Sequence, residues 1–84
     1  MLNTKQLSVM SYANLFTMWY YKTKTGEKIG EDYFNDCFNI FNDGDIIRVN
    51  FYDDVVNSKS LTEVKKFIIK KIDFENKKVK IEEE

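Results

Sequence analysis

Phe16-Thr17-Met18-Trp19-Tyr20-Tyr21, then Tyr33-Phe34-Asn35-Asp36, then Gly44-Asp45 are the stretches whose reading decides the fold. The first lies in a strand pattern from Leu15 to Thr23. Leu15, Thr17, Trp19 and Tyr21 alternate with Phe16, Met18, Tyr20 and Lys22, and β-branched and aromatic residues suit a pleated, half-buried surface. Large apolar groups on both faces predict a strand covered on one side by its own core and on the other by something else. Beyond a turn at Lys24 to Glu27, the spacing predicts a short helix over Glu31 to Asn42. Phe34, Cys37, Phe38 and Phe41 fall at i, i+3, i+4 and i+7. Glu31 and Asp32 sit in its first turn, where they favour the helix dipole, and Gly44 stands where a left-handed cap is wanted.

Outward from this centre the patterns weaken. Asp45 to Asp53 reads as a second strand, with Ile47, Val49 and Phe51 alternating against Arg48, Asn50 and Tyr52. Asp53 to Thr62 reads as a polar loop. Glu63 to Phe74 fits a helix stripe (Leu61, Val64, Ile68, Ile72) as well as a strand, and the β-prone run Phe67-Ile68-Ile69 favours the strand. A turn at Glu75 to Lys78 and a strand at Val79 to Ile81 complete a hairpin, and no internal repeat is visible. Residues 1–14 mix Leu2, Leu7, Val9, Met10 and Tyr12 with polar residues, reading either as a poorly ordered terminus or as an extended arm that orders against a neighbour. The expectation is an α+β fold: a small antiparallel sheet or partial barrel, one short helix between the first two strands, an N-terminal arm over 1–14 and a single domain over 15–84.

Composition narrows the function classes. Eighty-four residues make one domain at most, and one this small is marginally stable alone. Cys37 is the only cysteine and histidine is absent. No internal disulfide can form, a zinc site is disfavoured, and the usual histidine-based triads have no base. Assembly remains as an external source of stability, so a homo-oligomer is expected. Membrane spans need about 20 apolar residues, and no run here approaches that; no apolar leader segment is evident either. The net charge of −1 gives no global pull toward nucleic acid. Charge is uneven, however: residues 1–58 carry five Lys or Arg and eight acids, residues 59–84 eight Lys and six acids.

Candidate chemistry is sparse. Cys37 lies within the aromatic stripe, where a buried thiol is structural and inert. The pairs Asp43 with Asp45 and Asp53 with Asp54 flank strands in turns, where aspartate is favoured for bonding nearby backbone N–H groups. Asn42-Asp43-Gly44-Asp45 lacks the rest of a calcium loop, and Gly26 and Gly30 form no phosphate loop. No catalytic, metal or cofactor residue is therefore expected. Lys65, Lys66, Lys70, Lys71, Lys77, Lys78 and Lys80, interleaved with Phe67 and Phe74, form the one basic cluster. It would suit single-stranded nucleic acid, or serve as a solvated face whose lysines block unwanted pairing. Trp19, Tyr20 and Tyr21 are of the types enriched at interface hot spots, or else feed the core.

The string Ala13-Asn14-Leu15-Phe16-Thr17-Met18-Trp19-Tyr20-Tyr21, Tyr33-Phe34-Asn35-Asp36 and Gly44-Asp45-Ile46-Ile47 resembles a group of small structural proteins of tailed bacteriophages and prophages. Their chains open on an Ala-Asn-x-Phe-Thr-x-Trp-x-Tyr-like strand and continue through a Tyr-Phe-Asn-Asp helix and a Gly-Asp turn. The likeness covers about residues 13–50, and the lysine-rich second half and the first 12 residues depart from it. It implies a virion protein of the capsid decoration or cement type, made in the host cytoplasm, whose partner is the major capsid protein. The contact surface expected on that reading is the arm with Leu7, Val9, Met10 and Tyr12, together with Trp19, Tyr20 and Tyr21. Two alternatives are a small nucleic-acid-binding β domain using the carboxy-terminal lysines and a tail or head-completion component.

Overall fold

Five strands in sequence order, β1 (Leu7–Tyr12), β2 (Thr17–Lys24), β3 (Ile46–Asp54), β4 (Lys59–Asp73) and β5 (Lys78–Glu83), form one sheet in the computed structural model, which describes residues 2–12 and 16–84. The aromatic strand starts at Thr17; Leu15, expected to begin it, lies outside the described residues, as do Ala13, Asn14 and Met1. β1 pairs antiparallel with β2, so the segment from Leu7 to Tyr12 is an edge strand. A bulge between Val9 and Ser11 breaks its register.

The sheet is mixed rather than antiparallel. β2 and β3 run parallel, Met18 opposite Ile46 through Lys24 opposite Tyr52. Parallel neighbours need a crossover of a dozen or more residues, and the 21 residues from Thr25 to Asp45 supply it. β3, β4 and β5 follow as an antiparallel meander.

The helix expected over Glu31 to Asn42 does not form, and the fold among the described residues is nearly all-β rather than α+β. The segment coils through turns, with a single 3₁₀ turn at Asn35–Cys37. Its backbone bonds run i to i−3: Tyr33 to Gly30, Asn35 to Asp32, Cys37 to Phe34, Phe38 to Asn35 and Ile40 to Cys37, at 3.0–3.2 Å. Two causes are evident. Asparagine, phenylalanine and tyrosine are mediocre helix formers. The Asn35 side chain is also spent elsewhere, its Oδ1 accepting the Val79 N–H at 2.8 Å from edge strand β5. The aromatic stripe survives the change, because residues three apart eclipse in tight turns. Phe34, Cys37 and Phe41 are buried and Phe38 packs against them.

The core lies between this crossover and one face of the sheet. Phe34 and Phe41 meet Tyr21, Ile47, Val49, Phe51, Phe67, Ile69, Ile72, Val79 and Ile81. Edge-to-face contacts link Trp19 to Phe41 at 5.2 Å and Tyr21 to Phe34 at 5.6 Å.

β4 begins at Lys59, inside the span expected as a loop, because the β3–β4 connection is shorter than the polar composition suggested. Asp54-Val55-Val56-Asn57 closes it, and Asp73-Phe74-Glu75-Asn76 closes β4–β5 in the same way. In each, the aspartate accepts both the backbone N–H and the side-chain N–H of the asparagine three residues on, at 2.8–3.2 Å. The next residue is left-handed, Ser58 at φ 52° and Lys77 at φ 55°.

Candidate interaction surfaces

Asp45 explains why the Trp19 and Gly-Asp positions matter. Gly44, at φ 90°, lets the chain turn sharply so that Asp45 enters β3 with its carboxylate fully buried. Oδ1 accepts the Thr17 N–H, and Oδ2 accepts both the Trp19 indole N–H and the Asn42 N–H, each at 2.9 Å. Backbone bonds from Gly44 to Ile69 (2.8 Å) and from Ile69 to Asp45 (2.9 Å) fix the same corner to β4. The carboxylate thus ties the start of β2 to the end of the crossover, and the Gly44-Asp45 backbone ties both to β4. Asp43 is consumed separately, accepting the Ile72 N–H at 3.0 Å. The Asp43 and Asp45 pair is structural in its bonding, and Asp54 is held by Asn57.

The aromatic triplet divides between the faces. Trp19 is half-buried on the crossover side, its N–H committed to Asp45. Tyr21 is 1% exposed, and its hydroxyl accepts the Asn3 N–H and lies 2.9 Å from the Tyr33 hydroxyl. Tyr33 donates in turn to Glu27 at 2.9 Å. Burial, with the Tyr21 and Glu27 hydrogen bonds, raises the Tyr33 phenol far above its ordinary value. Tyr20 points the other way, onto the face turned from the crossover.

That open face can be read row by row from the register. Met18, Ile46 and Ile68 lie side by side; then Tyr20, Arg48 and Lys66; then Lys22, Asn50 and Val64; then Lys24, Tyr52 and Leu61. Arg48 donates to Asn50 at 3.1 Å, Asn50 to the Tyr52 hydroxyl at 3.1 Å, and the Tyr52 and Tyr20 hydroxyls are 3.0 Å apart. Burial raises the Tyr20 phenol, whereas the Tyr20 hydrogen bond holds Tyr52 below its usual value. Arg48 and Lys66 stand directly opposite each other on antiparallel strands, as do Lys71 and Lys80. Like charges so placed are destabilising. The ion pairs nearby, Lys70 with Glu82 at 3.4 Å and Lys65 with Glu83 at 3.9 Å, involve none of these four.

The two sheet edges differ. β5 carries Lys78, Lys80, Glu82 and Glu83 and is bonded by Asn35 at Val79. β1, Leu-Ser-Val-Met-Ser-Tyr, carries no charge. Val9 is 56% and Met10 49% exposed, Leu7 is half-buried, and the backbone of Tyr12 pairs with Thr17. Phe16, just before β2, is also exposed.

The strands divide the lysine cluster unevenly between the faces. Lys66, Lys71, Lys78 and Lys80 share the open face, Lys65 sits over the Phe51 ring at 6.0 Å, and Lys77 is in a turn. Phe67 is buried on the core face, whereas Phe74, 63% exposed in the β4–β5 turn, packs edge-on against Phe38. Cys37 is buried, and burial pushes its thiol up, away from the reactive thiolate. Among the described residues no group of three or more acids or cysteines could hold a metal, and no helix is long and apolar enough to cross a membrane.

No family model, curated protein or solved structure matches this chain.

Proposed function

We propose that this chain is a non-enzymatic virion protein of a tailed phage, a decoration or cement protein that binds the major capsid protein through the β1 edge. The resemblance over residues 13–50 supplies the class. The β1 edge is the observation that carries the docking mode. A sheet edge presents unpaired N–H and C=O groups, and natural edges are ordinarily blunted with charge or cover. β5 is protected in both ways; β1 carries no charge, and among the described residues nothing covers it, so Val9 and Met10 are left to solvent. Its six-residue length and its bulge restrict pairing to a short segment. That suits one specific partner strand and disfavours open-ended aggregation. Backbone bonds to an added strand give affinity, and the side chains of Val9 and Met10 give selectivity. Repeated over many copies on a shell, a modest contact energy accumulates through avidity.

The test is co-sedimentation with capsid shells, comparing wild type with Val9→Lys and Met10→Lys. An edge lysine blocks strand addition while leaving an exposed position exposed. Shell binding is expected to fall roughly tenfold or more with thermal stability unchanged. Equal decoration by the lysine variants would remove the edge from the reading, and failure of wild type to bind any shell would remove the capsid. Deleting residues 1–12 is a poorer test, because it takes away β1 and uncovers β2.

A further inference from the structure

The open face carries its cations in a line. Lys24 and Lys22 stand at the carboxy-terminal end of β2, and Arg48 follows on β3, opposite Lys66 on β4. Lys71 lies further along β4, opposite Lys80 on β5, with Lys78 beyond it. Each step moves across the sheet or further along it, so the line crosses four strands on the diagonal. With a rise of about 3.3 Å per residue and strands about 4.8 Å apart, it runs for about 25–30 Å. The neighbours of these residues in sequence, Tyr21, Thr23, Val49, Phe67, Ile72 and Val79, are buried, which turns the cations outward. Two contacts along the line set cation opposite cation, Arg48 with Lys66 and Lys71 with Lys80, and the ion pairs of Lys65 and Lys70 relieve neither. The acids of this face are engaged locally: Asp54 holds Asn57, Asp73 holds Asn76 and Glu82 pairs with Lys70. Arg48 is fixed in place, its Nε donating to Asn50 at 3.1 Å, and Lys22 donates to the Ser58 hydroxyl at 2.9 Å. The chain has a net charge of −1, so the excess of cations is local to this face.

We infer that the open face binds a single-stranded nucleic acid laid along this diagonal. The cations meet successive phosphates, and each phosphate relieves like-charge pairs that cost the free fold stability. A line of this length fits an extended polyanion rather than one isolated phosphate. Tyr20, in the row of Arg48 and Lys66, and the half-buried row Met18, Ile46 and Ile68 flank the line and offer ring and apolar surface to bases. A duplex keeps its bases stacked and away from such a surface, so the single strand is the form selected. Phosphate contacts and stacking carry little sequence information, so the selection is for strandedness rather than sequence. The face and the β1 edge are separate surfaces, and the inference stands whatever that edge binds.

The test is fluorescence anisotropy of labelled oligo(dT) with the full chain, using about 20 nucleotides, longer than the roughly 4–16 that a single OB-fold domain covers. Neutralising about five phosphates gives a slope of about −3.5 in log affinity against log salt, so affinity should fall roughly a hundredfold between about 50 and 200 mM salt. Lys66→Glu and Lys71→Glu each place an acid opposite a cation, so neither should lower the unfolding midpoint. Each should weaken binding roughly tenfold or more and flatten the slope by at least about 0.7. Lys28→Glu, the same charge change at an exposed position on the crossover, should leave binding within about twofold. A duplex of equal length should compete roughly tenfold more weakly or worse. No binding by wild type at the lower salt, a loss in Lys28→Glu equal to that in Lys66→Glu, or a duplex bound as tightly as oligo(dT) would each overturn the inference. So would binding to phosphatidylserine vesicles without binding to oligo(dT), which would give the face to a membrane.

Discussion

Replacing Asp45 by Asn leaves the shape of the side chain nearly unchanged and removes one of its two acceptor oxygens. The buried carboxylate receives three N–H groups, two on Oδ2 and one on Oδ1. An amide keeps its oxygen toward the Trp19 and Asn42 donors and turns an NH₂ against the Thr17 N–H. A buried donor without a partner costs about 1–3 kcal/mol, and bonds to a charged acceptor are roughly twice as strong as neutral ones. Loss of the Thr17 bond and of charge assistance at the other two is offset in part by the easier desolvation of an amide. The expected net loss is about 2–4 kcal/mol. Small domains hold about 0.05–0.15 kcal/mol per residue, so this is a large share of what an 84-residue chain has. The assay is urea unfolding followed by fluorescence, for which Trp19 is the sole tryptophan and a member of the bonded group. The midpoint should fall with the slope unchanged. Asp43→Asn is the control, since Asp43 accepts a single backbone N–H and should cost about 1 kcal/mol or less. An Asp45→Asn protein within about 0.5 kcal/mol of wild type, the range of ordinary surface changes, would refute the role given to this carboxylate.

Two further expectations concern the turns. The Asn57 and Asn76 hydrogen bonds hold Asp54 and Asp73 below their ordinary value of 3.8, so their contribution to stability is present above that pH and is lost as pH falls through the lower folded values. Asn76→Ala should return Asp73 toward 3.8, as followed by carboxyl NMR titration. Lys77, at φ 55°, occupies the left-handed region at a cost that glycine does not bear. Lys77→Gly should therefore raise stability by up to about 1 kcal/mol, a melting-temperature increase of roughly 4–8 °C.

The strands were legible where alternation was clean. The expected strands at Leu15 to Thr23 and Asp45 to Asp53 are displaced by one or two residues from β2 and β3, and the choice of strand for the ambiguous Glu63 to Phe74 holds over most of β4. The helix failed because the period of the Phe34, Cys37, Phe38 and Phe41 stripe is shared by any tightly coiled segment that buries one side. Period alone does not separate i to i−4 from i to i−3 bonding. Parallel pairing of β2 with β3 was not legible, since register is a tertiary property, although a long connection between two strands was the available hint. The role of Asp45 had a readable signal that was missed. A lone tryptophan near a core needs an acceptor for its N–H, and an aspartate entering a buried strand needs donors. The twin Asp-x-x-Asn turns were also in plain view at Asp54 and Asp73.

Parallel pairing also orders the folding of the chain in time. The β3–β4–β5 meander is joined by short turns, and hairpins of this kind close in about 1–10 μs. β2 must wait for a 21-residue segment to close before its first bond to β3 forms, so its entropy is spent before any contact rewards it. Synthesis follows the strand order: β1 and β2 leave the ribosome first and can pair, β3 adds to β2 once the crossover has emerged, and β4 and β5 follow. Until β3 emerges, Trp19 and Tyr21 lack the crossover aromatics and the Asp45 carboxylate that cover and bond them. That makes the nascent chain, rather than the finished domain, the state most exposed to aggregation.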